Sequence, residues 1–168
     1  MAYGSAKSYV YVGGFVGYSD ASATTNCYAA GTIANDNKAI ATYYATSYVK
    51  CTATANSYVG GFIGYSTSTT ATGCMSLQSA PSKNDISATS YNNSYSTTNS
   101  HYGGFYGNES GLTATNCYRN SEFTCDSTST LGMAESVATM KTANFVYMTL
   151  GWSSEVWTAT DGNLPTLK

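Results

Sequence analysis

Few side chains in this sequence are of the kinds that do chemistry. Its 168 residues include one histidine, five cysteines, nine acidic and seven basic residues. A zinc peptidase of the His-Glu-x-x-His type needs two histidines on one helical face, and His101 stands alone. His101 also falls where two related stretches have Tyr11 and Tyr58, which marks it as a variant of a structural position. Glycoside cleavage needs a pair of carboxylates across the scissile bond. Here the acids are scattered, and Asp20 has Thr67 and Ser110 as its counterparts. No Lys-Ser or Lys-Thr follows the glycine pairs, so they are not phosphate loops. Tyr18 breaks the calcium-binding Gly-Gly-x-Gly-x-Asp pattern. The expectation is no enzyme, no catalytic residue, no metal and no cofactor.

What recurs instead is a scaffold. Residues 11–18 read YVGGFVGY, and Asn26-Cys27-Tyr28 follows. The unit returns as YVGGFIGY at 58–65 with Gly73-Cys74-Met75, and as HYGGFYGN at 101–108 with Asn116-Cys117-Tyr118. From first glycine to cysteine the step is fourteen residues each time, 13 to 27, 60 to 74 and 103 to 117, while the repeats start 47 and then 43 residues apart. A constant inner step with a variable spacer marks a repeat with a constant core and variable loops. Such units cannot bury an apolar face alone and do so by stacking.

The expected fold is all-β: a β-solenoid over residues 1–130, with units near 9–31, 57–76 and 100–120. A C-terminal cap over 131–168 follows, with a helix over Ala134–Thr142. Equivalent residues then form ladders: Gly13, Gly60 and Gly103; Gly14, Gly61 and Gly104; Phe15, Phe62 and Phe105; Gly17, Gly64 and Gly107; Cys27, Cys74 and Cys117. The glycines are read as supplying positive φ at corners. Whether Phe15 or Val16 faces inward is left open, because the flanking glycines break the alternation. Ser8–Val12 alternates like a strand.

The spacer 39–53 has β-forming residues but no diglycine, and Cys51 lies about halfway between Cys27 and Cys74. It is read as an intervening coil, giving two turns of about 22 to 24 residues per repeat and about six turns in all. Equivalent cysteines then lie two levels apart, about 9–10 Å at about 4.8 Å per level, beyond disulfide reach. Burial of the thiols in register is expected. The alternative is one disulfide, involving Cys125 or joining Cys51 to Cys27 or Cys74.

Composition narrows the function classes. Only 10% of residues are charged and the net charge is −2, against roughly 25% charged in ordinary soluble domains. Seven scattered basic residues make no nucleic-acid footprint. No apolar run reaches the roughly 20 residues of a spanning helix, and Met1–Gly4 begins no signal peptide. Threonine-rich stretches raise ice binding as a further reading. Asn92 and Asn108 head glycosylation sequons.

The repeat YVGGFVGYSDASATTNCYAAGT resembles the GLUG repeat, a Gly-Gly-aliphatic-x-Gly core followed by a short Asn-Cys-Tyr strand. That family occurs in large bacterial surface and secreted proteins, including IgA-specific metalloendopeptidases. The tail, with Gly132-Met133, Met140-Lys141-Thr142, Gly151-Trp152, Trp157 and Leu164–Leu167, is similar to the segment that ends such arrays. The third unit departs at His101 and at Tyr118-Arg119-Asn120. The resemblance implies a β-solenoid and a cell-surface or extracellular setting, and no chemistry. The expected role is a non-catalytic structural subunit of a fibre or surface layer. Its partner would be itself, head to tail, with Tyr9, Val10, Tyr11 and Val12 as the self-associating strand. The alternative is an adhesin or carbohydrate-binding module that meets surface glycans through tyrosine rings.

Overall fold

The computed structural model describes residues 3–33, 38–44, 50–79, 85–90, 95–108, 111–123 and 131–168. The described chain is mostly β, with two short helical segments. Each repeat contributes a long strand, then a run of shorter ones. The long strands are β1 (Tyr3–Gly13), β6 (Lys50–Gly60) and β11 (Tyr95–Gly103). After the first come β2 (Val16–Ser19), β3 (Ser22–Thr25), β4 (Tyr28–Thr32) and β5 (Lys38–Tyr43). After the second come β7 (Ile63–Ser66), β8 (Thr69–Thr72), β9 (Met75–Ser79) and β10 (Asp85–Ser90). After the third come β12 (Leu112–Thr115) and β13 (Tyr118–Asn120), with β14 at Met133–Glu135.

Pairing between repeats is parallel and in register. The sheets run β1-β6-β11, β2-β7, β3-β8-β12, β4-β9-β13-β14 and β5-β10. Gly13 lies opposite Gly60, which lies opposite Gly103. Thr25, Thr72 and Thr115 align in the same way. Equivalent residues of successive repeats are therefore direct hydrogen-bonded neighbours.

This pairing corrects the expectation of two turns per repeat and six in all. The spacer strand β5 does not slot between two repeats. It pairs with its own counterpart β10, Ala39 opposite Ile86 and Ala41 opposite Ala88. Cys51 is not on an intermediate level either, since it lies in β6 opposite Gly4 of β1. The physical reason is a second sheet. β5 and β10 pack against the long-strand sheet through Ala39, Ala41, Ala53 and Ala55, all buried, with Val10, Ile86 and Ala88 beside them. Alanine methyls let two sheets approach closely, so a 47-residue repeat spends its extra length on a thin side lobe.

The main core is built from Phe62, Ile63, Phe105, Tyr106, Ala71, Ala29, Cys74 and Cys117. Phe62 and Ile63 are both 0% exposed. Both neighbours thus face inward in the second repeat, whereas in the first Val16 packs against this core and Phe15 is 47% exposed. The chain bends at the diglycine, so the alternation of an ordinary strand does not apply.

The C-terminal segment is less helical than expected. Ala134 and Glu135 belong to β14, paired beside Arg119 and Asn120. Helix α1 spans only Val137–Met140, with Ser136 as N-cap accepting from the Thr139 amide at 3.0 Å, and a π-helical turn covers Phe145–Thr149. Met140, Phe145, Val146, Leu150 and Trp152 pack on Met75 and Leu77, with Tyr28 and Tyr118 alongside. This segment lies along the flank of all three repeats, because Tyr28, Met75 and Tyr118 are register partners. Two hydrogen bonds pin it there. Trp152 Nε1 donates to the Gly73 carbonyl at 2.7 Å, and Asn116 Nδ2 donates to the Thr149 carbonyl at 2.8 Å.

Candidate functional site: the stacked ladders and the first-repeat edge

The diglycine turn is built by crowding. In each repeat the chain doubles back between the end of the long strand and the next short strand. A Cβ on Gly60 would meet the Ile63 carbonyl oxygen and the Gly107 amide nitrogen, and one on Gly13 would meet the Val16 carbonyl and the Gly64 amide. Gly61 faces the Gly104 carbonyl and the Ser76 hydroxyl, and Gly14 faces the Gln78 amide group. Gly17, Gly64 and Gly107 face backbone atoms of Tyr11, Val12 and Val59. None of these glycines has positive φ. The expectation of positive φ at these corners is therefore corrected: they are glycine because backbones touch there.

Positive φ occurs one step before each cysteine instead. Asn26 has φ 53°, Gly73 has φ 61° and Asn116 has φ 52°. Sequence reasoning missed this shared corner, although Asn, Gly and Asn are the residues that tolerate the left-handed region.

The turn also unites the ladders. The Phe62 carbonyl accepts from the amides of Phe15 at 2.9 Å and Val16 at 3.1 Å. The Phe105 carbonyl accepts from Phe62 at 2.8 Å and Ile63 at 3.0 Å. The rings follow. Phe15 stacks on Phe62 at 4.8 Å, and Phe62 on Phe105 at 4.9 Å. Two further columns stand outside this core. Tyr11, Tyr58 and His101 stack at 5.6 and 5.1 Å, and Tyr18 stacks on Tyr65 at 5.7 Å. The two columns meet edge to face through Tyr58 and Tyr65 at 4.9 Å. His101 takes the ladder position of Tyr11 and Tyr58, as its sequence position implied. Burial, then the Tyr58 and Tyr65 phenols, push the Tyr11 phenol above its ordinary value.

The cysteines line up within the core. Met75 N–H donates to the Cys27 carbonyl at 3.0 Å, and Tyr118 N–H to the Cys74 carbonyl at 2.9 Å. Each thiol lies near the carbonyl two residues before it: Thr25 at 3.2 Å, Thr72 at 3.4 Å and Thr115 at 3.4 Å. Cys27, Cys51, Cys74 and Cys117 are not joined in disulfides. Cys125 lies outside the described residues. In-register stacking was expected, but the separation used to argue for it was not right. Successive cysteines are one strand spacing apart, about 4.8 Å rather than 9–10 Å.

Among the described residues nothing stacks on the outer face of the first repeat's columns. Tyr9, Phe15 and Tyr18 are each 47% exposed, whereas Phe62 and Phe105 are 0% exposed. Of the strand expected to self-associate, Val10 and Val12 point inward against the cores and Tyr9 and Tyr11 outward. Threonines also align, exposed Thr25 and Thr115 with half-buried Thr72, and exposed Thr70 with Thr113, but Ala23 interrupts the second row. Among the described residues no group of three or more His, Cys, Asp or Glu is placed to hold a metal ion, and no helix is long and apolar enough to cross a membrane.

No curated protein and no solved structure matches the chain. The family model of the GLUG motif matches residues 8–34, which span β1 from Ser8, the diglycine turn, the Asn26 corner and β4. The chain thus carries the GLUG motif at residues 8–34, and its second and third repeats return the same glycines and cysteine.

Proposed function

We propose that the repeats form a β-solenoid of three coils, one per repeat, and that the protein is a non-catalytic structural subunit of the cell surface or extracellular space that associates with itself head to tail. The observation that carries this reading is the long-strand sheet. β1 and β11 are its two outer strands, and each has one neighbour among the described residues. An open edge presents unpaired backbone donors and acceptors, which template a further strand. Adding β1 of the next copy to β11 continues the same parallel register: Lys7 opposite Thr97, Tyr9 opposite Asn99 and Tyr11 opposite His101, as each already stands to β6. Gly132 lies against the Phe105 ring, so the contact uses β11 and not the phenylalanine column. Such a heterologous contact does not close and runs on as a filament. The surface setting rests on the low charge and on the motif.

The test is sedimentation over a range of concentrations. Thr97 and Lys7 are both exposed. Thr97→Lys sets like charges opposite each other in the proposed contact and should weaken association roughly fivefold, the scale of about 1 kcal/mol for a cross-strand pair. Adding Lys7→Glu to the same chain should restore it. A wild-type protein that stays monomeric at high concentration, or a Thr97→Lys variant that associates as before, contradicts the reading.

A second reading has its own observation. Phe15 and Tyr18 stack on Phe62 and Tyr65 with one face and are half exposed at the first-repeat end. Aromatic rings so presented suit stacking on sugars, as an adhesin would use them. Glycan binding that is lost in Phe15→Ala while sedimentation is unchanged would favour this reading.

A further inference from the structure

We propose that the cysteine column is a thiol–disulfide exchange site, in which a low-molecular-weight disulfide of the glutathione class enters at Cys27 and Cys74 resolves the adduct into a Cys27–Cys74 disulfide. Three observations lead there. The first is access. Cys27 is only partly buried at the first-repeat end of the column, whereas Cys74 is 0% and Cys117 is 3% exposed. The second is adjacency. Cys27 and Cys74 stand at equivalent corners, each one residue before the paired strands β4 and β9, and the Met75 amide to Cys27 carbonyl bond at 3.0 Å joins the two corners. One strand spacing, about 4.8 Å between Cα atoms, falls in the range of about 4.4–6.8 Å that a disulfide spans. The third is the set of partners around Cys74. Its thiol lies 3.7 Å from the Thr24 carbonyl and 4.0 Å from the Thr24 hydroxyl, and it touches the thiols of both Cys27 and Cys117.

That environment prepares Cys74 as the attacking sulfur. A hydrogen bond from the Cys117 thiol favours its thiolate and lowers the Cys74 pKa to about 6, against the opposing effect of burial. Cys117, hydrogen-bonded to Cys74 and buried, is pushed up and keeps its proton. Burial, then the nearby Cys74, raises the Cys27 thiol, so entry at Cys27 should speed up as pH rises.

The steps balance. The Cys27 thiolate attacks one sulfur of the reagent RS–SR. A Cys27–S–SR bond forms, the S–S bond of the reagent breaks, and RS⁻ leaves and takes up a proton. Cys74, which has already given its proton to solvent, then attacks Cys27 Sγ as the thiolate, and the second RS⁻ leaves and is protonated. Two protein thiols are oxidised to one disulfide, and RS–SR is reduced to two RSH. Cys117 acts as a positioning residue.

The experiment takes the fully reduced full chain, adds oxidised glutathione, and maps the products by non-reducing peptide mass spectrometry. The expected product is a Cys27–Cys74 link. In Cys74→Ser the reaction should stop at a glutathione adduct on Cys27, so that this adduct changes from a transient species to the main product. In Cys117→Ser the adduct should form at the wild-type rate and resolve more slowly. Because serine variants of buried cysteines can fail to fold, wild-type chain is also treated briefly with an alkylating reagent, which should label Cys27 before Cys51, Cys74 or Cys117. A main product that leaves Cys27 free, a link from Cys27 to Cys51 or Cys125, or labelling of Cys74 ahead of Cys27 would overturn the proposal.

Discussion

Replacing Gly60 by alanine should abolish folding or cost more than about 4 kcal/mol, the range reserved for mechanisms that the structure cannot absorb. The new methyl meets the Ile63 carbonyl oxygen and the Gly107 amide, which are backbone atoms of its own turn and of the next repeat. Neither can swing away as a side chain would. Gly60 is also the middle glycine of its column, with Gly13 on one side and Gly103 on the other. Gly151 provides the contrast. Its φ is +73°, but an added Cβ there meets nothing within 4 Å. Gly151→Ala should therefore cost only the left-handed penalty of roughly 1–2 kcal/mol. Urea unfolding followed by circular dichroism measures both. Equal, small losses at the two sites would mean that the diglycine turn is not crowded.

The phenylalanine column gives the second large effect. Phe62 is 0% exposed and stacks on both Phe15 and Phe105. Phe62→Ala removes a buried ring and both stacks, at an expected cost of about 3–5 kcal/mol. Phe15 has the same residue type at the same repeat position, but it is 47% exposed and stacks on one side only. Phe15→Ala should cost about 1 kcal/mol. The same denaturation series reads the difference. If the two substitutions cost the same, Phe15 is covered in solution.

These contrasts show which parts of the molecule were legible in its sequence. The step from Gly13 to Cys27 recurs without change because the strands pair in register. An insertion within it would break a sheet, so its constancy announced the ladders of Phe15, Cys27 and Thr25. The number of levels was not legible. A spacer such as 39–53, rich in β-formers, reads equally as an extra coil or as a side lobe. What decides is that Ala39 and Ala41 pack against Ala53 and Ala55, a contact between sheets rather than a local pattern. The role of the glycines was half legible. Their positions are in the sequence, but crowding and positive φ both select glycine, and only the backbone distinguishes Gly60 from Gly73. The flank packing of the tail was hidden for a similar reason, since Trp152 finds its partner at Gly73, far away in the chain. The aromatic columns were legible as repeated positions, whereas the edge-to-face meeting of Tyr58 and Tyr65 depends on the turn between them.

The central claim is that each repeat is one level, hydrogen-bonded directly to the next. Scalar couplings across hydrogen bonds, measured by NMR on deuterated, ¹⁵N,¹³C-labelled protein, test it without any mutation. The account predicts couplings from the Phe15 amide nitrogen to the Phe62 carbonyl carbon, from Phe62 to Phe105, from Asn26 to Thr72 and from Gly73 to Thr115, matching bonds of 2.9, 2.8, 3.0 and 3.0 Å. Couplings from these amides to spacer residues such as Lys38–Tyr43 would place a coil between the repeats and contradict it.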